Sequence, residues 1–110
     1  MIEPNTLHCG DCLEVMKQIQ DNSIDCLICD LPYCTTACKW DVIIPFDKLW
    51  EQYNRITKDN AAILLFGAEP FSSMLRLSNI KAFKYDWYWR KPRGTCHLNS
   101  KNSLCVTLKQ

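Results

Sequence analysis

Apolar residues recur along this chain in two rhythms. Ile24 to Cys29 ("IDCLIC") and Ala61 to Gly67 ("AAILLFG") are short, almost continuous apolar runs, the pattern of strands buried on both faces of a parallel sheet. Phe83 to Trp89 ("FKYDWYW") alternates as a strand does, and Asn5 to Gly10 ("NTLHCG") reads as a further short strand ending in a turn. Between these runs the period changes. Behind Pro45, the residues Phe46, Leu49, Trp50, Tyr53 and Ile56 repeat at helical spacing, with Lys48, Glu51, Gln52, Arg55 and Lys58 on the other side. "KDN" (Lys58 to Asn60) ends that helix. Asp11 is placed to cap a helix through "CLEVMKQIQ", whose Leu13, Met16 and Ile19 share a face. Pro70 opens another through "EPFSSMLRLSN".

The predicted order is strand, helix, strand, loop, helix, strand, helix, strand. Such alternation implies an α/β fold with a mostly parallel sheet and flanking helices. In open sheets of this kind ligands bind just beyond the carboxyl ends of the strands. "DLPY" (Asp30 to Tyr33) and "GAEPF" (Gly67 to Phe71) fall at those ends. A chain of 110 residues suits one domain, and no repeat, linker or low-complexity stretch divides it. No apolar run is long enough to span a bilayer. The first residues, "MIEPNTLHCG", lack the basic and apolar blocks of a secretory leader, so the expected compartment is the cytoplasm.

Charge adds an asymmetry that the net value of +1 hides. Residues 1–80 carry six Lys or Arg against eleven Asp or Glu, whereas residues 81–110 carry seven against one, Asp86. A basic segment with aromatic neighbours can track a phosphate backbone; a solvated charged face is the plainer reading, and both stay open. The eight cysteines would suggest disulfides in a secreted chain, but a cytoplasmic one keeps them as reduced, small apolar side chains. Cys9 with Cys12 and Cys26 with Cys29 match a four-thiolate zinc spacing. Against zinc, Cys26 and Cys29 lie inside a strand, where an odd offset puts their side chains on opposite faces. Cys34 and Cys38 would also be left over, and no metal is expected.

The stretch "CDLPYCTTACKW" (Cys29 to Trp40) carries the candidate chemistry. Asp30 leaves the strand end, where its carboxylate can face a crevice. The backbone carbonyls around Pro32 are available as acceptors, and Tyr33 offers a flat face. Together they could hold a planar ring bearing an amino group, the carboxylate and a carbonyl taking its two N–H bonds and the tyrosine covering its face. An ordinary Pro-Tyr turn is the alternative.

Here the chain resembles the DNA amino-methyltransferases, which methylate adenine N6 or cytosine N4 with S-adenosylmethionine. "DLPY" is similar to the family motif Asp/Asn/Ser-Pro-Pro-aromatic, with leucine at the second position. "GDCLEVM", "CKWD", "IPFDKLWEQYNRI", "LFGAEPFSSMLRLSNI" and "YDWYWRKPRGTCHLNSKN" resemble the adenine-type phage and prophage enzymes in order and spacing. The resemblance implies a Rossmann-like methyltransferase fold acting on double-stranded DNA, with Asp30, Leu31, Pro32 and Tyr33 as the catalytic motif. It implies that Gly10 and Asp11 form an edge of the cofactor site. It also implies that Lys39 and Trp40, and the loop residues Arg90, Lys91, Arg93, His97, Asn99 and Lys101, lie near DNA.

Three departures qualify it. Leu31 replaces a proline, which keeps the carbonyl but loosens the loop. Cys34 stands where relatives commonly have glycine, and is strained if that site needs a positive φ. The chain has three glycines, Gly10, Gly67 and Gly94, and no G-x-G. The family's glycine-rich cofactor loop, which follows the target pocket in members with this motif order, is therefore missing. The expectation is a partial methyltransferase domain over residues 1–110, the target-base half of a truncated or split enzyme. Such a chain would bind S-adenosylmethionine weakly, have little activity alone, and expose a sheet edge to self-association or a complementing C-terminal half. A zinc-binding nucleic-acid module and a non-catalytic DNA-binding protein are the competing readings.

Overall fold

The computed structural model describes residues 2–34, 39, 42–90 and the backbone of 101–108. In chain order its elements are α1 (Cys12–Met16), β1 (Ile24–Asp30), α2 (Phe46–Ile56), β2 (Thr57–Gly67), α3 (Phe71–Ser78), β3 (Phe83–Arg90) and β4 (Lys101–Leu108). The four strands form one sheet in the order β1-β2-β4-β3. β1 pairs with β2 in parallel, and β4 is antiparallel to both β2 and β3. Thus β1, β2 and β3 run one way and β4 is wedged between them the other way. The α/β class and the flanking helices agree with the sequence pattern. The reversed strand was not anticipated, because it comes from "KNSLCVTL", a polar-flanked stretch in which the two-residue rhythm is weak.

α2 forms as its spacing predicts. Leu49, Trp50, Tyr53 and Ile56 are buried, while Asp47 and Glu51 face outward. α1 starts where Asp11 caps it, the carboxylate Oδ1 accepting from the Leu13 amide at 2.9 Å. It is shorter than the sequence suggests, ending at Met16. Arg55 of α2 holds that end: its guanidinium donates to the Met16 carbonyl at 2.7 Å and the Ile19 carbonyl at 2.8 Å, and it pairs with Asp21. The last carbonyl of α1, and that of Ile19 in the turn beyond it, thus find a partner on the neighbouring helix.

The expected strand at Asn5 to Gly10 is not present. That segment is exposed and joins no ladder, and Leu7 projects fully into solvent. β2 begins earlier than expected, at Thr57, so the "KDN" taken as a helix stop lies inside the strand. The parallel pairing skips there: Ile24 faces Thr57, while Cys26 faces Ala62. Asn60 takes up the surplus with φ 66°, a left-handed turn that asparagine tolerates better than most residues.

The core lies on one side of the sheet. Ile63 and Leu65 of β2 pack with Leu49, Trp50, Tyr53 and Ile56 of α2, Phe71 and Leu75 of α3, and Met16 of α1. Ser78 of α3 accepts from the Trp50 indole at 2.8 Å, tying the two longer helices together. Among the described residues no helix is long and apolar enough to cross a membrane.

Candidate functional site

β1 and β2 end side by side. Asp30 stands opposite Phe66, one residue before Gly67. The two strand ends therefore launch "DLPY" and "GAEPF" into the same region. Gly67 eases the packing there: a Cβ on it would come within 2.5 Å of the Ser72 hydroxyl, which would have to turn away from the strand end.

Asp30 is exposed at the carboxyl end of β1. The Tyr33 hydroxyl donates to its Oδ1 at 2.8 Å. The Tyr33 ring packs on Phe71 with centroids 5.0 Å apart, and Phe71 meets Phe46 at 5.9 Å. Phe46 opens α2 and Phe71 opens α3, so the first residues of both helices back the tyrosine. Sequence reasoning missed this support, though two phenylalanines, each directly after a proline at a helix start, were a readable sign.

Leu31 is 6% exposed and belongs to the core. The leucine that replaces the motif's proline therefore anchors the loop by burial, a compensation invisible from the tetrapeptide. Cys34 has φ 61°. It sits in the left-handed region, where a non-glycine side chain is strained by roughly 1–3 kcal/mol. Cys34→Gly is expected to leave the fold intact and raise stability by up to about 1 kcal/mol, the relieved strain being partly offset by glycine's freer unfolded chain. A denaturant melt checks this; a loss of stability would contradict it.

The second loop is braced from α3. The Ser73 hydroxyl and the Arg76 guanidinium both bind the Glu69 carboxylate, and they hold its pKa below the usual carboxylate range. Arg76 also reaches Asp86 of β3 at 3.1 Å. Deeper in the fold, burial above all, then the Cys29 thiol, pushes the Tyr53 hydroxyl well above its ordinary pKa. Burial, with Asp11 and Cys29 nearby, likewise raises Cys12. Cys29 is a neighbour that the two share.

Cys29 thus faces α2, whereas Cys26, paired with Ala62, lies on the opposite face of the sheet. Among the described residues no three His, Cys, Asp or Glu side chains gather as a metal set. Gly10 and Asp11 lie exposed ahead of α1 with the Asp11 carboxylate engaged as its cap. They could offer one edge to a cofactor. Of the residues expected near DNA, Lys39 and Arg90 are exposed. Arg90 lies opposite Lys101 in the β3–β4 register. Because β3 runs with β1, Arg90 lies toward the same end of the sheet as Asp30, on the far edge strand and further along than the row that Asp30 shares with Phe66, Leu104 and Trp87. Trp40, Lys91, Arg93, His97 and Asn99 lie outside the described residues.

Comparison with known proteins bears on this geometry. No family profile and no curated protein matches the sequence. Solved structures do match by fold. A protein assigned as a DNA modification methylase, from Thermus thermophilus, superposes with a TM-score of 0.68 at 16% identity, over 91% of this chain and 50% of its own. The cytosine-N4-specific PvuII DNA methyltransferase gives 0.67 at 13% identity, over 92% and 48%. A second structure of the Thermus protein gives 0.64 at 14% identity, over 91% and 52%. The chain has the Rossmann-like fold of DNA methyltransferases. It spans about half the length of these neighbours.

Proposed function

We propose that residues 1–110 are the target-base half of a DNA amino-methyltransferase, a partial domain acting on adenine N6. The observation that supports this most is the placement of Asp30, locked to Tyr33, at the carboxyl end of a parallel strand in a sheet of the DNA-methyltransferase fold. The first aspartate of the motif and the phage-type resemblance favour adenine over cytosine.

The chemistry follows from the target. An exocyclic base amine is a poor nucleophile because its lone pair is delocalised into the ring. Accepting its two N–H bonds at Asp30 and at the Leu31 carbonyl draws density onto nitrogen and favours the pyramidal form. These bonds strengthen toward the transition state, where positive charge grows on nitrogen. A carboxylate has a second oxygen with which to do this while the first holds the tyrosine. The amine is out of reach inside a duplex, so the base must be flipped out. Stacking on Tyr33 would return on the order of 1–3 kcal/mol of the lost base stacking. Arg90, Lys101 and Lys39, with Trp40, Lys91, Arg93, His97 and Asn99, are proposed to meet the phosphates. The methyl donor is proposed to be S-adenosylmethionine, and a complementing segment must supply the glycine-rich part of its seat.

Two measurements test this. Calorimetric titration of the 110-residue protein with S-adenosylmethionine should show weak binding. Radiolabelled methyl transfer to adenine-containing duplex should stay near background, and should rise when the segment encoded downstream is added. Digestion of the labelled DNA should then yield N6-methyladenine. Robust turnover by the chain alone would overturn the partial-domain reading; label on ring carbon or on protein would overturn the amino-methyltransferase reading.

A further inference from the structure

Along β3 the side chains alternate between the two faces of the sheet. Asp86 meets Arg76 of α3, so Asp86, Tyr88 and Arg90 share the face that the helices cover. The cover ends between the first two. Asp86 is partly buried, whereas Tyr88 is 71% exposed and Arg90 beyond it is exposed as well. Tyr88 falls in the row of Gly67, with Ser103 of β4 between them. Gly67 opens the "GAEPF" loop, and the guanidinium that holds Asp86 also holds Glu69 of that loop. Tyr88 therefore stands at the end of the sheet where Asp30 leaves β1, on a strand braced to the second loop of the site.

We infer that Tyr88 and Arg90 form a stacking contact for DNA outside the Asp30 pocket, the ring taking an unpaired base and the guanidinium its phosphate. What flanks the ring identifies the occupant. On its face, the neighbours of Tyr88 along the strand are the Arg76–Asp86 ion pair on one side and Arg90 on the other. An apolar partner surface would be matched by apolar neighbours. A flat ring beside a cation, in polar surroundings, matches a base joined to a phosphate. Two residues along a strand span about 6.7 Å, a separation comparable with that of a base from the phosphate of its own nucleotide. Charge supports the same occupant. Residues 81–110 hold seven Lys or Arg and one acid, Asp86, and Arg76 from α3 neutralises that acid. Lys81, Lys84 and Arg90 are exposed, so this strand and its approach present cations to solvent while their carboxylate is paired. A source of unpaired bases is at hand: turning one base out of a duplex leaves its partner without a mate.

The inference rests on the methyltransferase reading for its ligand, but its test needs no methyl transfer. Fluorescence anisotropy of the 110-residue protein compares an intact labelled duplex with the same duplex carrying one unpaired base. The unpaired base should tighten binding. Tyr88→Ala should weaken binding to that second DNA at least about ten-fold, the loss of one stacked base, and leave binding to the intact duplex as it is. Tyr88→Leu, which keeps bulk on the strand without a flat ring, should do the same, and Tyr88→Phe should retain the preference. Arg90→Ala should weaken both DNAs and lower the salt slope by about one. The circular-dichroism spectra should not change, because both side chains are exposed. Unaltered binding of the unpaired-base duplex by Tyr88→Ala and Tyr88→Leu would overturn the inference and leave the methyltransferase reading standing. An equal loss on both DNAs would overturn it too, by making Tyr88 a backbone contact. Binding of neither DNA at low salt would overturn the inference, and the methyltransferase reading would fall with it only if the complemented assay also yields no N6-methyladenine.

Discussion

Phe71→Ala is expected to remove much of the stability of the chain. Phe71 is 1% exposed and sits where three segments meet, with Tyr33 on one side and Phe46 on the other. Truncating a buried phenylalanine costs about 3–5 kcal/mol, from lost transfer energy and from the cavity left behind. A domain of this size has on the order of 5–15 kcal/mol in total, and this one covers a single face of its sheet. The midpoint of thermal unfolding should fall by about 15 °C or more. Met74→Ala, on the same helix but 41% exposed, should cost less than about 1 kcal/mol. If the two variants melt alike, the one-sided core described here is wrong.

The fold was legible wherever a single period dominated. α2 came directly from apolar residues three and four apart, and β2 and β3 from short apolar or alternating runs. What failed was pairing. Asn5 to Gly10 has the local look of a strand, but a strand needs a neighbour to take its hydrogen bonds, and periodicity says nothing of neighbours. β4 was missed for the converse reason: "KNSLCVTL" has modest strand character and owes its conformation to lying between β2 and β3. The "KDN" stretch was misread because Asn60 and its neighbours look like a helix stop, although a bulge in a strand calls for the same residues.

The both-faced apolarity of β1 and β2 was read correctly as a property of the sequence and incorrectly as a statement of burial. Ile, Leu, Ala and Cys at successive positions say that both faces are apolar. They do not say that this stretch of chain covers both. The distinction is visible at Ile28, which the run "IDCLIC" marks as core and the fold leaves 68% exposed.

The site was legible in its residues and not in its supports. Asp30 and Tyr33 were picked out by the motif, but the hydrogen bond between them was not anticipated, because the tetrapeptide does not say which way the ring turns. The burial of Leu31 and the backing by Phe46 and Phe71 depend on helices that enter the region from elsewhere in the chain. The Arg90–Lys101 juxtaposition depends on the reversed strand, so it could not be read before β4 was known. Cys34 was the one position where backbone strain was foreseeable, because the comparison residue at that place in the motif is glycine.

Asp30→Asn is expected to lower methyl transfer at least about a hundred-fold, measured in single turnover with cofactor in excess and the complementing segment present. Asparagine keeps the shape and can keep one acceptor, but it loses the negative charge that grows in importance as the amine becomes cationic. Losing one such stabilising contact typically costs about a hundred- to a thousand-fold. Asp30 is exposed, so the melting curve should not move by more than about 0.5 kcal/mol. Tyr33→Phe separates the two parts of the device. It keeps the ring on Phe71 and removes the hydroxyl that holds the carboxylate at 2.8 Å. Stacking survives, so the affinity for DNA should hold, while the rate falls by a smaller factor, about ten-fold, as the carboxylate loses its fixed aim. A full rate in Asp30→Asn would remove the carboxylate from the chemistry. An equal loss in both variants would make Tyr33, and not Asp30, the group on which the geometry turns.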